Sequence, residues 1–100
     1  MGASQSNITM RRKGQFLQVS DEDGQVKRIV REDDGSKSFI KCKKIFLKLG
    51  DITSVSQKLE ENDIIITLKN GVEYVLDNLE SPDETFEGLR KKIFNAEDDE

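Results

Sequence analysis

The first six residues, Met1 to Ser6, carry the most specific chemical pattern in the chain. A glycine at position 2 with a serine at position 6 fits the pattern for N-myristoylation, once the initiator methionine has been removed. We therefore predict Gly2 as a lipidation site. A single myristoyl chain gives only marginal membrane binding, so we expect a second membrane signal nearby.

Three consecutive basic residues follow this pattern: Arg11, Arg12 and Lys13. A basic side chain near an anionic leaflet contributes about 1 kcal/mol to attachment, so these residues are predicted to supply the second signal. Residues 1–14 are otherwise small and polar and predict a flexible N-terminal arm. The first fifty residues hold eleven Lys and Arg against six Asp and Glu, although the whole chain has a net charge of −4. This basic excess fits an anionic partner surface or a solvated β-surface.

The composition excludes several kinds of catalytic and metal site. The chain has no histidine and a single cysteine, Cys42, so Ser-His catalysis and a His/Cys zinc site are impossible. Two carboxylate runs, 21–23 and 32–34, lack the spacing of a calcium loop. We predict no enzyme activity, no metal and no cofactor. We also predict no nucleic acid partner, because only Phe39 and Phe46 lie near the basic cluster at 41–44.

Residues 15–95 are predicted to form one small domain, which would position the basic residues for contact with an anionic surface. Its β-branched and alternating segments are separated by turn signals about 8–12 residues apart, which is typical of an antiparallel sandwich or barrel. The predicted strands are 15–20, 25–31, 37–42, 44–49, 52–59, 62–68 and 72–76. The acidic residues 96–100 predict a disordered tail. No apolar run approaches the length of about 20 residues that a membrane-spanning helix needs.

The last two predicted strands form a hairpin around Lys69-Asn70-Gly71. A three-residue loop pairs Ile64 with Leu76 and Ile66 with Tyr74, and it gathers six apolar side chains on one face. A two-residue loop would divide those side chains between both faces. Since the apolar pattern sets strand register, we predict the three-residue loop, with Gly71 in the left-handed conformation.

A C-terminal helix is predicted from Pro82 to Phe94. Ser81, Pro82 and Glu84 match a capping box with proline at the first helical position. The apolar residues at 86, 89 and 93 then repeat at helical spacing. This helix is expected to pack its apolar face against the sheet.

Seven strands followed by one helix resembles the pleckstrin-homology (PH) superfold. The segments G-D-I-T-S-V-S-Q, D-I-I-I-T-L-K-N-G-V-E-Y-V-L and F-E-G-L-R-K-K-I resemble the second half of PH-like and GRAM-like domains. The resemblance covers about residues 45–94 and implies a seven-stranded antiparallel barrel or sandwich capped by a helix. It also implies a non-enzymatic scaffold that binds lipid headgroups, peptides or protein surfaces.

An acylated N-terminus on such a fold resembles the inner membrane complex sub-compartment proteins of apicomplexan parasites. Those proteins usually carry cysteines beside the acylated glycine, whereas Cys42 lies in a predicted strand. Phosphoinositide-binding PH domains place a lysine on the first strand and a basic-x-basic pair on the second. Lys27 and Arg31 share a face of the second strand here, so they join the predicted anionic-surface set.

These observations predict a peripheral protein on a cytoplasmic membrane face, which acts as an adaptor or positioning module for a protein partner. The alternative is a soluble bacterial or phage regulatory protein. The segment I-F-L-K-L-G-D-I-T-S-V, with the hairpin and helix that follow, resembles small flagellar proteins of the FlbD type. The sequence leaves the oligomeric state open.

Overall fold

The structure, a computed structural model, describes residues 8–22, 24–58, 60, 62–77 and 79–94. A short 3-10 helix, Leu49–Asp51, lies between the fifth and sixth strands. The strands and the helix are β1 (Thr9–Lys13), β2 (Phe16–Ser20), β3 (Val26–Arg31), β4 (Lys37–Lys41), β5 (Lys44–Lys48), β6 (Ile52–Gln57), β7 (Ile64–Leu68), β8 (Glu73–Leu76) and α1 (Pro82–Phe94). The fold is mainly β with one C-terminal helix, as the sequence predicts.

The strands form two antiparallel sheets. The three-stranded sheet has the order β1-β2-β5, and the five-stranded sheet has the order β4-β3-β8-β7-β6. The described residues form eight strands, whereas the sequence predicts seven. In the part of the chain that the structure describes, the two sheets do not join into a closed barrel. Each sheet therefore has two edge strands among the described strands. They are β1 and β5 in the three-stranded sheet, and β4 and β6 in the five-stranded sheet.

The additional strand, β1, lies in the segment that the sequence assigns to a flexible arm. Its five residues pair with β2, from Thr9 opposite Ser20 to Lys13 opposite Phe16. The segment has only one large apolar residue, Met10, so its own pattern does not predict a strand. Met10 packs against the core, and pairing with β2 supplies the backbone hydrogen bonds that such a polar segment needs.

The hairpin formed by β7 and β8 has the predicted register. Ile64 lies opposite Leu76, and Ile66 lies opposite Tyr74. The amide of Leu68 donates to the carbonyl oxygen of Val72 at 2.9 Å, and Gly71 has a φ of +89°. The three-residue loop is therefore confirmed, and it directs the apolar side of both strands into the core.

The core lies between the inner faces of the two sheets and is closed by α1. Its fully buried members are Leu17, Val19, Val26, Leu47, Ile64, Ile66, Leu76, Leu79 and Leu89. The helix has the predicted bounds and buries Leu89 in this core. At its start, the amide and the hydroxyl of Thr85 both donate to the carbonyl oxygen of Ser81 at 2.9 Å. Gln57 on β6 donates to the Asp83 carboxylate at 2.6 Å, which ties the helix start to the five-stranded sheet.

Candidate functional site

The three-stranded sheet has two faces of opposite character. Successive side chains of a strand point to opposite faces, and residues paired across an antiparallel ladder share a face. The inner face holds the buried residues Leu17, Val19, Ile45 and Leu47. The outer face, named here the basic face, holds Thr9, Arg11, Lys13, Phe16, Gln18, Ser20, Lys44, Phe46 and Lys48.

The basic face carries four cations and no carboxylate. Arg11 and Lys13 come from β1, whereas Lys44 and Lys48 come from β5. All four side chains are exposed. The concentration of charge is notable because the whole chain has a net charge of −4. An anionic partner would therefore be attracted locally to this face, although the molecule as a whole is anionic.

Two exposed aromatic rings lie among these cations. Phe16 is 47% exposed and Phe46 is 62% exposed. Phe16 lies between Lys13 and Lys48 in one row across the sheet. Phe46 lies opposite Gln18, so the two rings occupy diagonal positions on neighbouring strands, about 7–8 Å apart at the backbone. Large apolar side chains left in water on one face mark a candidate contact surface.

The structure divides the predicted basic triplet between the two sides of β1. Arg11 and Lys13 lie on the basic face, as an anionic-surface role requires. Arg12 points to the inner side, where its guanidinium donates to the carbonyl oxygens of Gly14 and Lys92, both at 3.0 Å. Arg12 thus holds the last turn of α1 against β1, which is a structural role.

Lys27 and Arg31 lie apart from these residues, on β3 of the five-stranded sheet. They share the outer face of that sheet, as alternation predicts. Each forms an ion pair with an acidic residue, Lys27 with Asp77 at 2.6 Å and Arg31 with Glu73 at 2.7 Å. These carboxylates offset the positive charge of both residues. Lys27 and Arg31 also lie on a different sheet, so they are not part of the basic face. Gly2 lies outside the described residues.

Four contributors to the basic face are absent from the predicted site: Phe16, Lys44, Phe46 and Lys48. The signal in each strand is strict alternation: F-x-Q-x-S in β2 and K-x-F-x-K in β5, with the apolar residues inward. The sequence does not reveal that β2 pairs with β5, because Phe16 and Phe46 are thirty positions apart in the chain and the β3–β4 hairpin lies between the two strands. That non-local pairing is what brings Phe16 beside Phe46.

A depression of about 510 Å³ lies at the ends of the strands and is lined by Asp21, Glu22, Gly24, Lys41, Cys42 and Lys43. Asp21 is almost fully buried, and its carboxylate accepts hydrogen bonds from the amides of Gln25 and Val26. This carboxylate therefore organises the connection between the two sheets. Cys42 is half-buried and packs against the core, as a small apolar residue would. The described residues contain no group of three His, Cys, Asp or Glu side chains that would suit a metal ion.

The carboxyl group of Asp34 has a shifted pKa. Asp34, in the turn between β3 and β4, accepts hydrogen bonds from the hydroxyl of Ser36 at 2.7 Å and from its amide at 2.9 Å. These donors favour the charged form and lower the pKa of Asp34 below its ordinary value of 3.8. The group is fully exposed and stabilises the turn.

No family model, curated protein or solved structure matches this chain. Among the helical residues that the structure describes, none belongs to a helix long and apolar enough to cross a bilayer.

Proposed function

We propose that this chain is a non-enzymatic binding module that attaches to an anionic membrane surface through its basic face and positions a protein partner there. The observation that carries the proposal is the grouping of four cations and two exposed phenylalanines, without a carboxylate, on one face of the three-stranded sheet. Cations attract anionic headgroups, and apolar rings gain free energy by leaving water at the headgroup boundary.

The magnitudes suit an attachment that needs two membrane signals. Four basic side chains close to an anionic leaflet supply about 4 kcal/mol, which corresponds to about a thousandfold in the binding constant. A single acyl chain alone gives an association constant of about 10⁴ M⁻¹. The two contributions together give stable attachment where either one alone is marginal. We therefore retain acylation of Gly2 and a cytoplasmic membrane face as parts of the proposal.

The position of β1 supports a common orientation of both membrane signals. Residues 1–7 lead into Ile8 and then into β1, which carries Arg11 and Lys13 on the basic face. An acyl chain at Gly2, six positions before Ile8, would therefore be close enough in sequence to reach the same bilayer as this face. The PH-like relationship is also a proposal, which rests on the order of strands and helix over about residues 45–94.

A second candidate for the same face is single-stranded nucleic acid. Phe16 and Phe46 lie at diagonal positions beside Lys13 and Lys48. Successive bases can stack on aromatic side chains spaced in this way, while the cations contact phosphates. We rank the membrane first because the predicted acylation site lies only a few residues before β1, and nothing in the chain independently favours a nucleic acid.

The test is co-sedimentation of the full chain with vesicles, with and without N-myristoyltransferase treatment. Vesicles of equal parts phosphatidylcholine and phosphatidylserine are compared with phosphatidylcholine alone. The double variant Lys44→Gln/Lys48→Gln should bind the anionic vesicles about thirtyfold more weakly, because it loses about 2 kcal/mol of attraction. The matched control is Lys69→Gln/Lys91→Gln, which removes two exposed lysines elsewhere and should retain most of the affinity.

Several outcomes separate the alternatives. Equal losses in both double variants would show that only net charge matters and would reject the basic face as a site. Binding to a labelled oligothymidylate, lost in Lys44→Gln/Lys48→Gln, together with no vesicle binding, would favour nucleic acid. If Gly2 stays unmodified and neither ligand binds, the regulatory protein without membrane contact becomes the better hypothesis.

A further inference from the structure

Strand β4 forms one end of the five-stranded sheet, where β3 is its one partner among the described strands. Four of its five side chains are exposed, and two of them are large and apolar: Phe39 is 56% exposed and Ile40 is 53% exposed. No described strand pairs with the opposite edge of β4. An edge of this kind offers backbone donors and acceptors to another extended segment.

The charges along this edge are one-sided. Lys37 and Lys41 share a face of β4 with Phe39, one on each side of the ring. Their neighbours on β3, Arg31 and Lys27, are already paired with Glu73 and Asp77. In the described part of the chain, neither Lys37 nor Lys41 forms an ion pair. The exposed edge therefore presents an apolar centre between two cations, neither of which pairs with a carboxylate among the described residues.

This charge pattern disfavours a second copy of the chain as the partner. Antiparallel pairing of two β4 strands centred on Phe39 would place Lys37 of each copy opposite Lys41 of the other. Like charges directly opposite each other across a sheet are destabilising. The two lysines thus oppose self-association, which is a common property of sheet edges, and they favour a partner strand of opposite charge.

We propose that β4 binds an extended segment of a partner protein as a sixth strand of the five-stranded sheet. In this segment an apolar residue lies opposite Phe39, and acidic residues lie two positions away on either side, opposite Lys37 and Lys41. A further apolar residue lies opposite Ile40 on the other face. The inference deepens the proposed function, because it names the class of protein partner, but it uses a different sheet from the basic face.

The probe is a synthetic peptide with the core Glu-Val-Tyr-Thr-Glu, and the control peptide has lysine in place of both glutamates. Each is titrated into the full chain while the backbone amides are followed by NMR. The Glu peptide should shift the amides of β4 and bind at least tenfold more tightly than the Lys peptide. The protein variant Lys37→Glu/Lys41→Glu should reverse this preference and favour the Lys peptide.

Because the whole chain has a net charge of −4, general charge attraction would favour the Lys peptide, so a preference of the parent chain for the Glu peptide indicates local pairing at β4. A dispersed amide spectrum verifies that the variant is folded. Phe39→Ala should weaken binding of the Glu peptide at least fivefold, since it removes the apolar centre. No binding of the Glu peptide, an unchanged preference in the charge-reversed variant, or shifts confined to β1, β2 and β5 would each overturn the inference. The variant Lys44→Gln/Lys48→Gln should retain peptide binding, so failure of the membrane proposal and failure of this one are separable.

Discussion

The guanidinium of Arg12 donates a hydrogen bond to the carbonyl oxygen of Lys92 at a distance of 3.0 Å. Eighty residues separate the two in sequence, and the contact joins β1 to the last turn of α1. A helix ends with carbonyl groups that have no partner within the helix and with the negative end of its dipole. The positive charge of Arg12 satisfies both requirements, which explains why this basic residue points inward while its neighbours do not.

We expect Arg12→Ala to lower the free energy of unfolding by about 1–3 kcal/mol, because it removes hydrogen bonds from a charged donor. Urea unfolding followed by circular dichroism measures this change. Arg11→Ala is the matched control: it should change stability by less than about 0.5 kcal/mol while weakening binding to anionic vesicles. Similar stabilities for the two variants would contradict the structural role of Arg12.

The exposed rings on the basic face should contribute to binding and little to folding. Phe16→Ala/Phe46→Ala should leave the urea midpoint close to that of the parent chain, because both rings are exposed and lie outside the core. The same variant should bind anionic vesicles at least tenfold more weakly, since burial of each ring is worth more than 1 kcal/mol. The control is Phe94→Ala, which removes a ring that is 66% exposed on α1. Equal vesicle binding by all three proteins would exclude insertion of the rings.

Gly71 should be sensitive to substitution because its φ of +89° is unfavourable for residues with a Cβ atom. A Cβ at this position would meet no neighbouring atom within 4 Å, so the cost is conformational rather than steric. We expect Gly71→Ala to destabilise the fold by about 1 kcal/mol. Gly50→Ala, also without a neighbour within 4 Å but without a positive φ, should change stability by less than about 0.5 kcal/mol. Thermal or urea unfolding of both variants provides the comparison.

Asp21 should matter for stability although it lies in a turn. Its buried carboxylate accepts from the amides of Gln25 and Val26, which precede and begin β3. Asp21→Ala would leave these amides without that acceptor and should cost about 1–3 kcal/mol. Glu22→Ala, at an exposed position next to it, serves as the control and should be almost neutral. If both substitutions prove equally mild in urea unfolding, the carboxylate does not stabilise the connection.

The carboxyl group of Asp34 provides a test of the turn between β3 and β4. Its pKa is lower in the folded chain, so its contribution to stability is present above the ordinary value of 3.8 and is lost as the pH falls through the lowered pKa. Ser36→Ala should raise the pKa of Asp34 towards 3.8, because the Ser36 hydroxyl is the largest cause of the shift. Carboxyl NMR titration measures this. Ser38→Ala removes a hydroxyl that donates to Glu32 instead, and it should leave the pKa of Asp34 unchanged.

Local patterns were sufficient to predict the C-terminal half of the fold. The loop of the β7–β8 hairpin is short, so apolar alternation alone selects its register. The helix bounds follow from the Ser81-Pro82 start and the apolar repeat ending near Ile93. In both cases the residues that interact are close in sequence, so their spacing carries the information.

Features that depend on distant contacts were not predicted. Strand β1 has a polar sequence, and two distant contacts stabilise it. Its backbone pairs with β2, and Arg12 donates to a carbonyl oxygen at the end of α1. The basic face requires β2 to lie between β1 and β5, and no spacing in the sequence encodes that order. For the same reason the sequence predicts Lys27 and Arg31 as contacts for an anionic surface, whereas in the fold they form ion pairs with Asp77 and Glu73.

Strand β1 also couples the stability of the two ends of the described chain, which are β1 itself and the last turn of α1. Arg11 and Lys13 on its outer side belong to the basic face, while Arg12 on its inner side holds the end of α1. A ligand that binds only when β1 is paired in the sheet raises the free energy of local opening of β1. Because Arg12 on β1 donates to the Lys92 carbonyl oxygen, the same ligand should also protect the last turn of α1 from hydrogen exchange. Because such coupling is reciprocal, fraying of the helix end would weaken binding on a face that the helix does not touch.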